Sequence, residues 1–119
     1  MKELDEFTQA FVAALLWSES GDDDEYLDSR YTVEDFAEET LACIVKECEE
    51  FQRANAADIK DRLARAGHDF ALTRNHHGAG FWDGDWPEAG DRLTEAAGKF
   101  KEFHLYAGDD GKLYAESGG

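Results

Sequence analysis

His68-Asp69-Phe70-Ala71-Leu72-Thr73-Arg74 is the stretch on which the fold of this chain turns, because the apolar period changes there. Up to Gly67 the apolar residues recur at helical spacing, whereas from His68 they alternate, imperfectly, toward a period of two. Asn75-His76-His77 then supplies a polar turn, and Gly78-Ala79-Gly80-Phe81-Trp82 a second extended run. The segment therefore predicts a β-hairpin, with Phe81 and Trp82 as core or edge anchors.

On the N-terminal side the pattern is helical. Leu4, Phe7, Phe11, Ala14 and Leu15, widened by Val12, Leu16 and Trp17, predict a first helix over about 4–17. A polar run, Ser18 to Glu25, follows it as a loop. Thr32 is a good N-cap with Asp35 three residues on, a shortened capping box, and Tyr31 and Phe36 can form a hydrophobic staple. Val33, Phe36, Ala37, Leu41, Ile44, Val45, Cys48 and Phe51 then trace the apolar face of a second helix. Asn55 can end that helix and cap a third, whose stripe is Ile59, Leu63 and Ala66 and whose left-handed stop is Gly67.

On the C-terminal side Pro87 suits the first turn of a further helix with Leu93, Ala96, Ala97 and Phe100 inside. Phe103-His104-Leu105-Tyr106, a Gly108–Gly111 turn and Lys112-Leu113-Tyr114-Ala115 predict a terminal hairpin. The expected class is α+β, in the order α-α-α-β-β-α-β-β, with helices packed on a small antiparallel sheet made of two hairpins. A length of 119 residues suits one domain over 1–119, with a helical half over about 1–66 and a hairpin/helix/hairpin half over about 67–116.

Charge divides the chain at about residue 50. The formal net charge is −16. Residues 1–50 hold 16 acids against 3 bases, and residues 51–119 hold 12 acids against 9 bases. Such asymmetry implies one negative face, which would repel nucleic acid and anionic membrane and steer basic protein surfaces toward itself. No run approaches the roughly 18 apolar residues of a membrane span. The first six residues carry acids where a signal peptide carries bases. Cys43 and Cys48 fall on different sides of a helix, which suits free thiols in a reducing cytoplasm and no disulfide.

The stretch from His68 to Asp83 resembles the pattern H-D-F-x-L-T-R-N-x-H-G-A-G-F-W-D of a family of small phage and mobile-element proteins. In that family a helix containing Leu-Thr and an acidic hairpin follow. Here Asp91-Arg92-Leu93-Thr94-Glu95-Ala96-Ala97 and Asp109-Asp110-Gly111-Lys112-Leu113-Tyr114 stand in those places. The resemblance covers about residues 67–114. It implies a phage origin, and so the cytoplasm of an infected or lysogenic bacterial host, but no particular reaction.

Chemistry could reside in two places. His68, Asp69, Arg74, Asn75, His76, His77, Asp83 and Asp85 crowd eighteen positions. A histidine base with Arg74 steadying an anion would make a small hydrolytic or nuclease-like site. The plainer reading pairs Arg74 with Asp69 or Asp83 across the hairpin. No spacing there matches a zinc motif, and Gly78-Ala79-Gly80 is too short for a phosphate loop, so no metal or other cofactor is expected. The second place is the acidic array: Asp22, Asp23, Asp24, Glu25, Glu34, Asp35, Glu38 and Glu39. Carboxylates three and four apart on a helix lie about 5–6 Å apart at Cβ, comparable to phosphates along a strand, and their repulsion costs a few tenths of a kcal/mol per pair.

The function expected from these features is non-catalytic. An acidic inhibitor, of the anti-CRISPR or anti-restriction kind, would occupy the basic nucleic-acid-binding surface of a host defence complex by mimicking nucleic acid. The alternatives are the enzyme just described, or a structural or regulatory phage protein docking a partner through Trp82 and Trp86.

Overall fold

Where Gly67 meets Phe7, two helices approach so closely that a Cβ on Gly67 would lie 2.0 Å from the Phe7 carbonyl oxygen and 3.2 Å from the Ala10 Cβ. That approach organises the computed structural model, which describes residues 4–18, 31–75, 80–81, 86–100 and 102–117. The helices are α1, Glu6–Ser18, and α3, Leu63–Arg74. Ala14 of α1 and Ala66 and Ala71 of α3 are buried, so small side chains keep the two backbones close.

Residues 68–74 are therefore helix and not strand, which corrects the hairpin expected from His68. Asp69, Phe70, Ala71, Leu72, Thr73 and Arg74 are all buried. A helix enclosed on every side has no polar stripe, so its 3.6-residue period leaves no trace in the sequence. Gly67 is correspondingly no stop. It lies inside α3, where only a hydrogen fits. Of the hairpin's second strand, residues 80 and 81 form a bend and turn, while 76–79 and 82 lie outside the described residues.

The Thr32 cap forms as expected, with Thr32 N–H donating to Asp35 Oδ2 at 2.8 Å and Glu34 N–H to Thr32 Oγ1 at 3.3 Å. It caps only a 3₁₀ turn, Val33–Asp35, because Phe36 then turns extended and makes a parallel bridge to Leu113. The long helix α2, Glu38–Ile59, begins after Ala37, whose N–H donates to the Leu113 carbonyl at 3.0 Å. Asn55 does not end α2 but kinks it (φ −125°, ψ 20°), its side-chain amide donating to the Phe51 carbonyl at 2.9 Å. A side chain competing for a helix carbonyl in this way bends the ladder.

Pro87 lies in the turn before α4, Gly90–Gly98, and not in the helix. The terminal hairpin stands as expected. Strands β1, Phe103–Ala107, and β2, Leu113–Ser117, pair antiparallel with Ala107 opposite Leu113. Gly111 takes φ +80° in the connecting loop, and Asp110 Oδ1 accepts from Lys112 N–H. The observed order is thus α1, the 3₁₀ turn, α2, α3, α4, β1, β2, with one two-stranded sheet among the described residues. The class is mixed α and β; the second hairpin is absent from 68–75.

Phenylalanine fills the centre. Phe51 of α2 stacks on Phe70 of α3 at 4.2 Å between ring centroids, Phe7, Phe11, Phe81 and Phe100 surround that pair, and Phe103 packs edge-on against Phe11. Each fully buried ring contributes about 1.5–3 kcal/mol, and each ring pair about 0.5–1.5 kcal/mol beyond its area. α1, α2, α3 and β1 all contribute rings, so the cluster ties the chain's two halves together.

Gly67→Ala is the sharpest test of this packing. In an exposed helix the change would stabilise by about 1 kcal/mol. Here the methyl must push α1 from α3, and overpacking costs about 1–3 kcal/mol. A lowered urea midpoint at unchanged slope is expected; a raised midpoint would contradict the close approach.

Candidate partner-binding face

The eight acids expected at a partner surface do not share one environment. Asp22, Asp23, Asp24 and Glu25 lie outside the described residues. Glu34 is exposed on the 3₁₀ turn, whereas Asp35 is half-buried and engaged in the cap. Glu38 and Glu39 are exposed in the first turn of α2, whose N-cap, Ala37, offers no side-chain hydrogen bond. Carboxylates there also complement the helix macrodipole, worth about 0.3–1 kcal/mol each.

Eleven residues further on, Glu49 and Glu50 are exposed as well. Eleven residues is close to three whole turns, so the pairs Glu38/Glu39 and Glu49/Glu50 share one side of α2, about 16 Å apart. Lys46 is exposed between them. At the hairpin, Asp110 accepts from the Tyr114 hydroxyl at 2.6 Å. That hydrogen bond pushes the Tyr114 hydroxyl up to about 12, with lesser help from burial and from Asp110 and Glu39 charges. Asp110 is exposed in the hairpin loop, and the Phe36–Leu113 bridge sets that hairpin beside the start of α2.

Among the described polar residues of the His68–Trp86 segment, Asp69, Thr73 and Arg74 face inward instead. Asp69, buried, accepts from Trp86 Nε1 at 2.7 Å through Oδ2, and its Oδ1 lies 3.2 Å from His68 Nδ1. Arg65 Nε stands 3.7 Å from the same carboxylate, and the Arg62 guanidinium lies 4.8 Å above the Trp86 ring. Thr73 Oγ1 accepts from Phe81 N–H at 3.1 Å. Asn75 exchanges two hydrogen bonds with the Phe103 backbone, at 2.9 and 2.7 Å, and so splices the end of α3 to β1.

Arg74 does not pair with Asp69 or span a hairpin. It is buried with Nη2 at 2.7 Å from Glu47 Oε1 of α2, and its guanidinium lies 5.1–5.8 Å from the rings of Phe70, Phe100, Phe103 and Phe11. On a helix, Asp69 and Arg74 project in different directions, which is why they separate. Burial pushes the Arg74 pKa down, and the Glu47 carboxylate opposes that shift. Glu47 Oε2 also accepts from the Cys43 thiol at 3.4 Å. Among the described residues no cluster of three His, Cys, Asp or Glu could hold a metal; His76, His77, Asp83 and Asp85 lie outside them.

Trp86 is buried and not available as an exposed docking ring, while Trp82 lies outside the described residues. Among the described residues the exposed large aromatics are Trp17 and Tyr106, neither of which the sequence singles out as exposed. Trp17, at the end of α1, has its ring 5.9 Å from His68. Tyr106 stacks on Tyr114 across the hairpin at 5.7 Å, a pairing readable from the strand alternation alone.

Two measurements check this arrangement. Glu47→Gln strips the counter-charge from a buried guanidinium and should cost about 2–4 kcal/mol in urea unfolding. The double variant Arg74→Met/Glu47→Leu, which puts apolar groups in the ring cluster, should lose less than that single change. A double variant worse than either single would contradict the assignment. Desolvation, in turn, pushes the buried Cys48 thiol up to about 12. Its folded pKa exceeds the unfolded one, so this contribution is complete below the thiol's ordinary 9.0 and is lost as pH climbs from there toward about 12. Cys48→Ala should flatten the alkaline decline in stability; an unchanged decline would assign it to Tyr114 and other groups. No family model, curated protein or solved structure matches this chain.

Proposed function

We propose that the chain is an acidic inhibitory protein of phage origin. It would block a host defence complex, of the anti-CRISPR or anti-restriction kind, by occupying a basic nucleic-acid-binding surface in place of nucleic acid. The observation that carries this reading is the exposure of Glu34, Glu38 and Glu39 at one end of α2, with Glu49 and Glu50 on the same side of that helix. Together with a net charge of −16, these carboxylates make a field suited to a cationic protein channel and hostile to nucleic acid itself.

The motif residues support a binding role indirectly. Asp69, Thr73, Arg74 and Asn75 each hold a neighbouring element, so their chemistry is spent on positioning. A second reading, a small hydrolytic enzyme working through the His68–Asp85 segment, draws on one contact: a buried Asp69 oriented on half-exposed His68. An aspartate fixing a histidine tautomer is how general bases are prepared. His68→Ala separates the readings, since it would abolish hydrolysis but leave charge-driven inhibition intact. Burial of Trp86 weighs against a docking role for that ring in a structural phage protein.

The test is inhibition of DNA binding by CRISPR effectors and restriction endonucleases in gel-shift assays, from about 50 to about 300 mM salt. Inhibition should weaken steeply with salt, and Glu34→Gln/Glu38→Gln/Glu39→Gln should weaken it about tenfold or more at low salt. Salt-insensitive inhibition, an unaffected triple variant, or no inhibition of any nuclease tested would each overturn the proposal.

A further inference from the structure

The helix α2 carries more apolar surface than its core requires. Thr40, Ile44, Cys48 and Phe51 face inward and are buried. Leu41 and Val45, beside that line, are only half-buried, and Ala42 is exposed. With Leu4 and Val33 they floor an open groove of about 720 Å³ along α2. Glu34, Glu38 and Glu49 stand on its rim, joined by Lys46 and Lys112. Positions 38, 41, 42, 45 and 49 follow the i, i+3, i+4, i+7, i+11 spacing of one straight helix face. A carboxylate therefore stands at each end of an apolar strip.

We infer that this groove receives an amphipathic basic helix of the partner protein. A purely polar ligand would gain nothing from the floor. An anionic membrane would meet the carboxylates of Glu34, Glu38 and Glu49. A helix with apolar residues at i, i+3, i+4 and i+7 fits the strip in the manner of helix-in-groove recognition, and lysine or arginine at its two ends meets Glu38 and Glu49. The roughly 16 Å between those carboxylates corresponds to about three turns of such a helix. Lys46 and Lys112 interrupt the negative rim, so a patterned helix fits better than a uniformly cationic chain, and they bias its register. The inference rests on the proposed function only in taking the partner to be a basic protein. It adds that the contact is partly apolar.

Fluorescence anisotropy with synthetic peptides tests it. The probe is a labelled helical peptide of about 18 residues, leucine on one face and lysine on the other, compared with an oligolysine of equal charge. The Leu/Lys peptide should bind saturably at one per chain, at least tenfold tighter than oligolysine, and should retain part of its affinity at high salt. Ala42→Lys, a change at an exposed helix position whose circular dichroism should match that of the unaltered protein, should weaken it about tenfold. Equal binding of oligolysine, or an unaffected Ala42→Lys, would overturn the groove. If Glu38→Gln/Glu39→Gln loses inhibition of a nuclease while Ala42→Lys keeps it, mimicry stands and the groove falls. If the peptide binds in an Ala42-dependent way but no nuclease is inhibited, the groove stands and mimicry falls.

Discussion

The guanidinium of Arg74 lies inside a box of phenylalanine rings, 2.7 Å from Glu47, and the remaining elements are arranged around that placement. Burying a lone cation would cost several kcal/mol, so a pair in this position demands a fixed carboxylate and close walls. The carboxylate comes from α2. The walls come from α1 through Phe11, from α3 through Phe70, and from Phe100 and Phe103 at and just before β1. Ring faces add cation–π attraction of about 0.5–2 kcal/mol each where desolvated. The pair thus fixes how α2 lies against α3, and that orientation decides which acids of α2 reach solvent.

Why α3 escapes sequence pattern reading follows from the same enclosure. Period analysis detects an element by the contrast between a wet side and a dry one. α1, with Ala13 and Trp17 exposed against buried Phe7, Phe11 and Leu15, has that contrast. So do α4 and the terminal hairpin, where Phe103 and Leu105 are buried and Tyr106 is exposed. Those elements are legible. α3 has none over 69–74, and its buried Asp69, Thr73 and Arg74 look like the polar beats of a strand. Gly67 misleads for a related reason: glycine is selected both where a helix ends and where another backbone must come near. Only the partner, the Phe7 carbonyl, tells the two uses apart, and no local pattern names it. Asn55 is an intermediate case, legible as an interruption of α2 but not as a kink within it.

The charge asymmetry needs the same separation into uses. Glu47 belongs to the acidic half by sequence, yet it is the counter-ion of a buried arginine. Asp35 closes a cap, Glu38 and Glu39 also serve a helix start that lacks a capping side chain, and Asp5 caps α1 by accepting from Thr8 N–H. Counting acids therefore overstates the field available to a partner. What remains along α2 is two exposed acidic pairs with Lys46 between them and Arg53 one turn beyond, a patterned surface and not a uniform one. Patterned charge beside an apolar strip favours selective association over mere electrostatic attraction, since misplaced partners meet like charges.

The acidic helix and the His68–Asp83 motif are separate stretches of the chain and suggest different things when read alone. In the fold they are mechanically one unit. Arg74, a motif residue, holds Glu47; Phe70, another, stacks on Phe51 of α2; Asn75 holds β1, whose partner strand bridges Phe36 just before α2 begins. Each connection constrains the angle and register at which Glu38, Glu39 and Glu49 are presented. Neutralising a surface acid changes the charge at its own position alone. Loosening Arg74, Phe70 or Asn75 would release contacts that hold α2, α3 and β1 together, so these motif residues bear on where the acids of α2 stand.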